Sequence, residues 1–511
     1  MIAPRPAGTL DDAWRIVLAL TAALTVARIT VLFLTPLDLY PDEAQYWLWS
    51  RQLAFGYFSK PPVVAWTIWA TTAAGGDAEP WIRLASPLFH AGATLTVFAL
   101  ARGLYGEAAA MAAAALYALM PGVQLSATVM ATDAPLLFFM GLALLAYARL
   151  QGAQGRGRVM LAAGFGAALG FAFLSKYAAA YVLAGLVLHL AMSRRARNAW
   201  TPAAAAAAAA AVMLIMAPNL AWNATHGFAT FRHTAANAAW GGRQLFNPPE
   251  LWDFFASQFG VFGPIPFAVL LGGSAFLAAR RRLAQADVML LCFTLPPLLM
   301  VSGQAFISRA NANWSGAAYL PGAVLVGAWL IRWGARRWMA AAVILQGLLA
   351  ALFLVWVALP PTAEAMGMSN SFKRAKGWSE LTDIVLKRAA AEPGLTAIAV
   401  NNRFLYNALA YYGRDALGTP GAVPLRIWLL EESPQNQAET TAPLTRSLGG
   451  RVLAVALEQT YRDRMAADFT KVSGREIVSV RLDEKRRRRA ELFIGEAFAP
   501  RARVSGPATP R

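Results

Sequence analysis

The residues best suited to chemistry cluster in Asp38-Leu39-Tyr40-Pro41-Asp42-Glu43-Ala44-Gln45-Tyr46-Trp47, a stretch that runs on to Ser59-Lys60-Pro61-Pro62. It follows directly on the first long apolar run. Three carboxylates and a lysine therefore stand at what reads as a membrane edge, where charge is expensive unless it is used. Asp42 and Glu43 are adjacent and flanked by Tyr40, Tyr46, Trp47 and Trp49. A partly desolvated carboxylate gains the proton affinity of a general base, and a site explains this pair better than helix capping does. Asp133, in Met130-Ala131-Thr132-Asp133-Ala134-Pro135, opens a later apolar run and is the third catalytic candidate. The alternative there is a cap formed by Thr132 or Asp133, with Pro135 in the first turn.

Lysine use narrows the cations. The first 360 residues hold only two, Lys60 and Lys176, although arginine is used throughout. Each follows a serine, Ser59 and Ser175. An ammonium is a compact charge suited to phosphate oxygens; snorkelling to the interface is the alternative. Arg309, in Gln304-Ala305-Phe306-Ile307-Ser308-Arg309, is a further phosphate-ligand candidate. The stretch 222–252 carries His226, Arg232, His233, Trp240 and Arg243. Its two histidines are not at a recognised metal spacing, so a divalent metal is left open. Tyr46, Arg232 and His233 are the candidates for contacting an acceptor.

These residues need a scaffold. Of the 511 residues 57% are hydrophobic and only 14% charged, against roughly 25% charged in soluble domains, and the apolar residues come in long blocks. The chain reads as a polytopic membrane protein. Its net charge of +18 does not point to nucleic acid, because much of it lies in short Arg clusters between apolar blocks. The lone Cys292 lies inside an apolar run and permits no disulfide within the chain. The first run, Ile16 to Leu34, is too long for a signal-peptide core and reads as a retained anchor, with Arg28 expected to face protein or snorkel. Further blocks fall at 63–74, 84–101, 107–127, 132–148, 159–174, 177–192, 201–221, 254–279, 286–305, 316–331 and 338–359. The run Ala203 to Ala211 suits close helix packing or is simple compositional bias.

Loop charge sets orientation. Loops with Arg102, with Arg149, Arg156 and Arg158, with Arg194, Arg195 and Arg197, with Arg280 to Arg282, and with Arg332, Arg336 and Arg337 are cytoplasmic by the positive-inside rule. Loops 36–62, 75–83, 128–133, 222–252 and 306–315 then face the other side. Because 36–62 and 75–83 share a side, block 63–74 is predicted to be juxtamembrane or re-entrant, a short tilted span being the alternative. The expectation is 11 to 13 transmembrane helices, a cytoplasmic N-terminus and a periplasmic C-terminal domain.

Composition changes after Pro360-Pro361. Residues 1–360 form the membrane domain, with the first outer loop at 36–62, and residues 361–511 a small soluble α/β domain. Helices are expected at 377–391, 403–412 and 458–469, and strands at 397–400, 452–457, 477–482 and 490–498. The run Lys485-Arg486-Arg487-Arg488-Arg489 falls between two strands. It reads as a solvated hairpin tip, with contact to anionic lipid head groups as the alternative.

In their order, Asp42-Glu43, Lys60-Pro61-Pro62, Thr132-Asp133-Ala134-Pro135 and Ser175-Lys176 resemble the bacterial membrane glycosyltransferases of the C-type superfamily. More narrowly they are similar to the family holding the protein O-mannosyltransferases and the aminoarabinose transferase that modifies lipid A. The resemblance covers residues 14 to about 330. It implies an all-α polytopic domain of the C-type fold, a polyprenyl-phosphate sugar as donor, and transfer at the outer face of the bacterial inner membrane. It implies Asp42 as base, Asp133 in support, and Lys60 and Lys176 on the donor phosphate. One departure stands out. An acid that precedes the Lys-Pro motif in the aminoarabinose transferase, and binds a metal with a later histidine, is Ser59 here, although His233 lies about where that histidine belongs. A lipid-phosphate donor has no pyrophosphate for a metal to bridge, so Lys and Arg can stabilise the leaving phosphate. Direct displacement would invert the sugar carbon. Lipid A or another glycolipid is the favoured acceptor, and protein Ser or Thr the alternative. A flippase or transporter for a lipid-linked sugar is the rival class; against it stand the lack of a half-to-half repeat and the clustering of acids at one face.

Overall fold

The computed structural model describes residues 11–236, 245–280, 282–457 and 459–503. Trp240, Arg243 and Arg281 lie outside the described residues. The chain packs as two compact units. One comprises Met1–Leu34, Lys60–Val64 and Arg83–Val355, the other Thr35–Ser59, Ala65–Ile82 and Trp356–Arg511. The polar segment after the first helix therefore belongs to the unit that carries the C-terminal sheet, and the division does not run at a single chain position.

The first unit is helical. Among the described residues eight helices are long and apolar enough to cross a membrane, or ten if each of two bent pairs is one span. This is below the expected 11 to 13. The apolar blocks are all helical, but Tyr177–Met192 falls short in length. Two others are broken, Glu107–Ala118 with Pro121–Ala127 at 56° and Pro248–Val261 with Pro264–Ala279 at 115°. Block 63–74 is the 13-residue helix Val63–Gly75. At 1.5 Å per residue it is about 20 Å long, short of the roughly 30 Å hydrocarbon layer.

The first bend has an identifiable cause. Pro121 starts the second helix of the pair and removes a backbone donor there. The Ala118 carbonyl left at the break accepts from Arg28 Nη2 at 2.6 Å and from Gln124 Nε2 at 2.8 Å. Gln124 Oε1 in turn accepts from Arg28 Nη2 at 3.0 Å. Arg28 is 1% exposed and faces protein, as expected. At one end of the bundle the buried Asp287 carboxylate accepts two bonds from Arg332, at 2.7 and 3.0 Å. It also accepts from Tyr105 and from the Trp329 indole. This fastens the C-terminal ends of helices Ala85–Tyr105 and Tyr319–Arg332 to the N-terminal end of Gln285–Ile307. In the alanine run, Ala204 and Ala208 are buried. A Cβ at Gly166 would meet the Ala208 carbonyl oxygen at 2.2 Å, so small residues are what allows helix Pro202–Thr225 to approach Gly155–Ser175.

The second unit holds five strands, β1 Ala397–Val400, β2 Leu425–Ile427, β3 Arg451–Ala456, β4 Phe469–Arg481 and β5 Arg487–Phe498. Their order is β2-β1-β3-β5-β4, with β1 parallel to β2 and β3 and the other pairs antiparallel. Strands β1 and β3 are buried on both faces, which is why they read as unbroken apolar runs. On one face Ile398, Val400, Leu453 and Val455 pack with Leu381, Val385, Leu405 and Leu409 from helices Trp378–Ala390 and Arg403–Tyr412. Only three residues long, β2 gave too short a pattern to be expected. The predicted helix at 458–469 is confined to Gln459–Ala466, and β4 begins at Phe469. In the basic run, Asp483 Oδ1 accepts from the Lys485 and Arg486 amides and closes the turn. Arg487 to Arg489 belong to β5 rather than to the tip.

Residues 35–59 are fastened to this sheet unit. The Asp38 carboxylate accepts from the Trp378 amide at 2.7 Å and the Ser379 hydroxyl at 2.7 Å, capping helix Trp378–Ala390 from 340 residues away in sequence. The Leu39 amide donates to the Tyr412 hydroxyl at 2.7 Å. Trp47 donates to Asp77 and packs edge-on against Tyr411. Arg51 pairs with the same aspartate at 3.0 Å. Replacing a capping acid costs about 1 to 2 kcal/mol, so Asp38→Ala should lower the melting temperature of the purified protein. Asp383→Ala, on the exposed face of the same helix, should leave melting nearly unchanged.

Candidate functional site

The three carboxylates of the opening segment part company in the structure. Asp38 is taken up by the helix cap described above. Glu43 is fully buried. Its Oε2 accepts from the Tyr40 amide at 2.9 Å, as the third residue of helix Pro41–Ser50 reaching back to the residue before it. Capping therefore explains Glu43 well, contrary to expectation. Asp42 alone is exposed and has no hydrogen-bond or ion-pair partner among the described residues. The partial desolvation expected of it is not present. Its position is nonetheless fixed, because helix Pro41–Ser50 is nailed down on either side. Gln45 hydrogen-bonds Asn407 at 3.4 Å. Tyr46 is buried and packs on Trp49, whose ring is stacked on Tyr57 at 4.8 Å. Tyr46 is thus an interior residue rather than an open contact point. Tyr57 is pushed up to about 12 by burial and stays a neutral donor, its hydroxyl bonded to the Trp49 carbonyl.

In the helical unit the structure joins two residues 43 positions apart in sequence: Lys176 Nζ donates to Asp133 Oδ1 at 2.8 Å. Asp133 is the first residue of helix Asp133–Leu150, and no side chain caps that helix. Its carboxylate is committed to the lysine. Lys176 stands where helix Gly155–Ser175 stops: its backbone is extended, and a one-turn segment, Tyr177–Ala179, follows. Both side chains are about one-fifth exposed, 20% for the acid and 21% for the base, so the pair is reachable from one side. Lys60 is half-buried in the same unit, directly ahead of helix Val63–Gly75.

Arg309 is exposed in the turn after Gln285–Ile307, with no side-chain partner among the described residues. That turn is held at three points. The amides of Phe246 and Asn247 donate to the carbonyls of Ile307 and Phe306, and the Asn247 side chain donates to the Ser308 carbonyl. Ala310 and Trp314 pack in one cluster with Tyr181, five residues past Lys176, which puts Arg309 at the end of the bundle where Lys176 meets Asp133. Gln258 fixes the following segment Ala312–Ala318 by accepting from Ser315 at 2.9 Å and Tyr319 at 2.7 Å. His233 and Arg232 lie in helix Ala229–Ala236, the first half-buried and the second exposed. His226 is stacked on Trp222 and bonded to its carbonyl. No three His, Cys, Asp or Glu among the described residues are placed to hold a metal ion, and no step below runs through one.

Sequence reasoning passed over Tyr177, Asn219 and Asn223. The Tyr177 hydroxyl donates to Asn219 Oδ1 at 3.0 Å, and its ring is stacked on Phe231 at 4.5 Å. Asn223 donates to Tyr177 at 3.3 Å. Both asparagines are fully buried. Two amides four residues apart in an otherwise apolar helix are costly unless paired, and that was the available signal. The trio fixes the turn that carries Lys176. The helical unit thus offers a lysine oriented by an acid, a half-buried lysine, and an exposed arginine: cations suited to a phosphate beside an apolar bundle. The sheet unit offers one unencumbered carboxylate, Asp42.

A family model described as dolichyl-phosphate-mannose-protein mannosyltransferase matches residues 59–222. The lipid A galacturonosyltransferase RgtD of Rhizobium johnstonii is 36% identical over 403 residues, 78% of this chain and 83% of that protein. The crystal structure of ArnT from Cupriavidus metallidurans in the apo state has the same fold. It matches with a TM-score of 0.64 and 19% identity, covering 96% of this chain and 99% of its own. The ArnT structure bound to undecaprenyl phosphate matches with a TM-score of 0.64 and 18% identity, covering 95% and 98%.

The contact between Asp133 and Lys176 sets a measurable expectation. In a double-mutant cycle with Asp133→Asn and Lys176→Met, the effects on unfolding free energy should be non-additive by about 0.5 to 3 kcal/mol, the double variant being more stable than the sum of singles requires. Additivity would mean that the pair is not formed.

Proposed function

Because the chain belongs to the C-type membrane glycosyltransferases, in the family of the lipid A galacturonosyltransferase it matches, we propose that it moves a sugar from a polyprenyl-phosphate donor to lipid A or a closely related envelope glycolipid. The observation that carries this reading is that match, which runs over most of both chains. The fold shared with ArnT, a protein crystallised with undecaprenyl phosphate, supports a polyprenyl-phosphate donor. The description of the family model favours a second acceptor, protein hydroxyls.

The chain's residues divide the work as follows. The polyprenyl tail lies among the apolar helices, and the donor phosphate meets Lys176, Lys60 and Arg309. Asp133 holds the Lys176 ammonium in place and acts as a positioning residue. Asp42 accepts the proton of the acceptor hydroxyl as its oxygen attacks the anomeric carbon. The bond from that carbon to the phosphate oxygen breaks, and the leaving polyprenyl phosphate takes its electron pair to oxygens already facing cations. One displacement inverts the anomeric centre. The end bearing Asp133, Lys176 and Arg309 faces the periplasm, and the C-terminal domain is periplasmic. The opposite end carries Asp287–Arg332 and the arginine-rich loops. Glu43, Tyr46, Arg232 and His233 take no part in the chemistry on this reading. Glu43 and Tyr46 maintain the helix that presents Asp42.

Purified protein incubated with a panel of polyprenyl-phosphate sugars should turn one over only when lipid A is added, and the new glycosidic bond should have the opposite anomeric configuration to the donor by proton NMR. Transfer to a Ser- or Thr-bearing peptide in place of lipid A would establish the second reading. Retention of configuration would reject single displacement.

A further inference from the structure

The basic run of the C-terminal domain has a use that the transfer mechanism does not absorb. Lys485 to Arg489, together with Lys373 and Arg374, line a cleft of about 740 Å³ in the sheet unit. None of the described lining residues is acidic, and the rest of the wall includes Trp378, Phe404, Asn402 and Pro41. Of the seven basic side chains only Arg486 has an acid within ion-pair distance among the described residues, Asp483 at 3.7 Å. Arg488 is held in a fixed pose. Its guanidinium lies 3.5 Å over the Trp378 ring, and its Nη2 donates to the carbonyls of Lys373 and Lys376. Its Nε has no partner.

Like charges crowded around one hollow repel each other, and an anion entering it would relieve that repulsion. The Asp483 turn starts β5 so that Arg488 bonds segment 373–376, while Lys485, Arg487 and Arg489 stay exposed at the mouth of the cleft. The volume suits a sugar-sized head group rather than a single ion. The cleft also reaches the site already described, because Pro41 in its wall is the residue before Asp42.

We propose that this cleft docks the acceptor through the anionic substituents, phosphate or carboxylate, of its glycolipid head group, and so delivers a neighbouring hydroxyl to Asp42. Guanidinium groups pair with both kinds of oxyanion in forked geometry, and aromatic walls suit the apolar faces of sugar rings. A lipid-borne anion is favoured over a free one because Pro41, in the cleft wall, follows the end of the first membrane helix by only seven positions in sequence. The inference rests on the acceptor reading above but concerns a different set of residues.

The test uses full-length protein in nanodiscs and the exposed pair Arg487→Ala/Arg489→Ala, neither of which has a side-chain hydrogen-bond partner among the described residues. Binding of bis-phosphorylated lipid A is measured directly, and transfer kinetics alongside. The expected result is a loss of about tenfold or more in lipid A affinity and a matching rise in acceptor KM, with donor KM, kcat and melting temperature unchanged. The Arg487→Lys/Arg489→Lys variant should recover most of the loss. Unchanged lipid A affinity overturns the proposal, as does a loss in donor KM of the same size. Equal affinity for inorganic phosphate and for lipid A overturns it too, since the cleft would then be an ion site. Wild-type binding that the variant loses, with no transfer by either, upholds the cleft and rejects the acceptor reading. Should the alanine variant melt early, the affinity of wild type for lipid A between low and high salt decides: a salt-independent affinity contradicts charge-based docking.

Discussion

The Asp38 carboxylate on the N-terminus of helix Trp378–Ala390 is the contact on which the arrangement turns. It joins a segment near the start of the chain to a sheet formed at its end, and the bonds of Leu39, Gln45 and Trp47 follow in series. A polar stretch of this kind would otherwise be a loose loop after a membrane helix, paying conformational entropy for every residue it orders. Docked on the sheet unit, it becomes a rigid shelf. Glu43 is spent on the shelf itself, and Asp42 is what the shelf displays.

The helical unit shows a consistent economy with charge. Arg28 is absorbed by a broken helix, whose free carbonyl and Gln124 replace its hydration. Asp287 is absorbed by Arg332, Tyr105 and Trp329. Buried charges left without such partners would each cost several kcal/mol. Against that background the groups left reachable are conspicuous: the Asp133–Lys176 pair, Lys60, and Arg309 in a turn held by two backbone bonds and one from the Asn247 side chain. In the sheet unit the contrast recurs, with most acids committed to partners and a hollow lined by seven basic side chains of which one, Arg486, has an acid at ion-pair distance among the described residues. The proposed reaction uses both exceptions, cations for a lipid phosphate and cations for an anionic acceptor.

Much of this was legible in the sequence. Hydropathy gave the helical blocks, because length and apolarity are local properties. Strands β1, β3 and β5 announced themselves as apolar runs. Lysine scarcity picked out Lys176, and the structure ties it to Asp133, another residue chosen from sequence. What could not be read depended on partners distant in the chain. Nothing local marks Asp38 as taken, since the helix it caps lies 340 residues on; Glu43 bonds the amide three residues before it, a local capping pattern that the aromatic setting overshadowed. The bend at Ala118–Pro121 hides inside a continuous apolar block. Strand β2 exists because β1 is beside it. The basic run was readable as charge but not as a cleft, because Lys373 and Arg374 arrive from more than a hundred residues away.

If Asp42 alone, of the three clustered carboxylates, is the base, then a pair of conservative variants separates it from its buried neighbour. Single-turnover transfer rate and melting temperature would be measured for Asp42→Asn and Glu43→Gln. Asp42→Asn should melt like wild type but transfer about 10² to 10⁴ times more slowly, the usual worth of a positioned base. Glu43→Gln should melt earlier while its folded fraction transfers at close to the normal rate. An Asp42→Asn protein with near-normal transfer, or a Glu43→Gln protein that is fully stable and inactive, would contradict it.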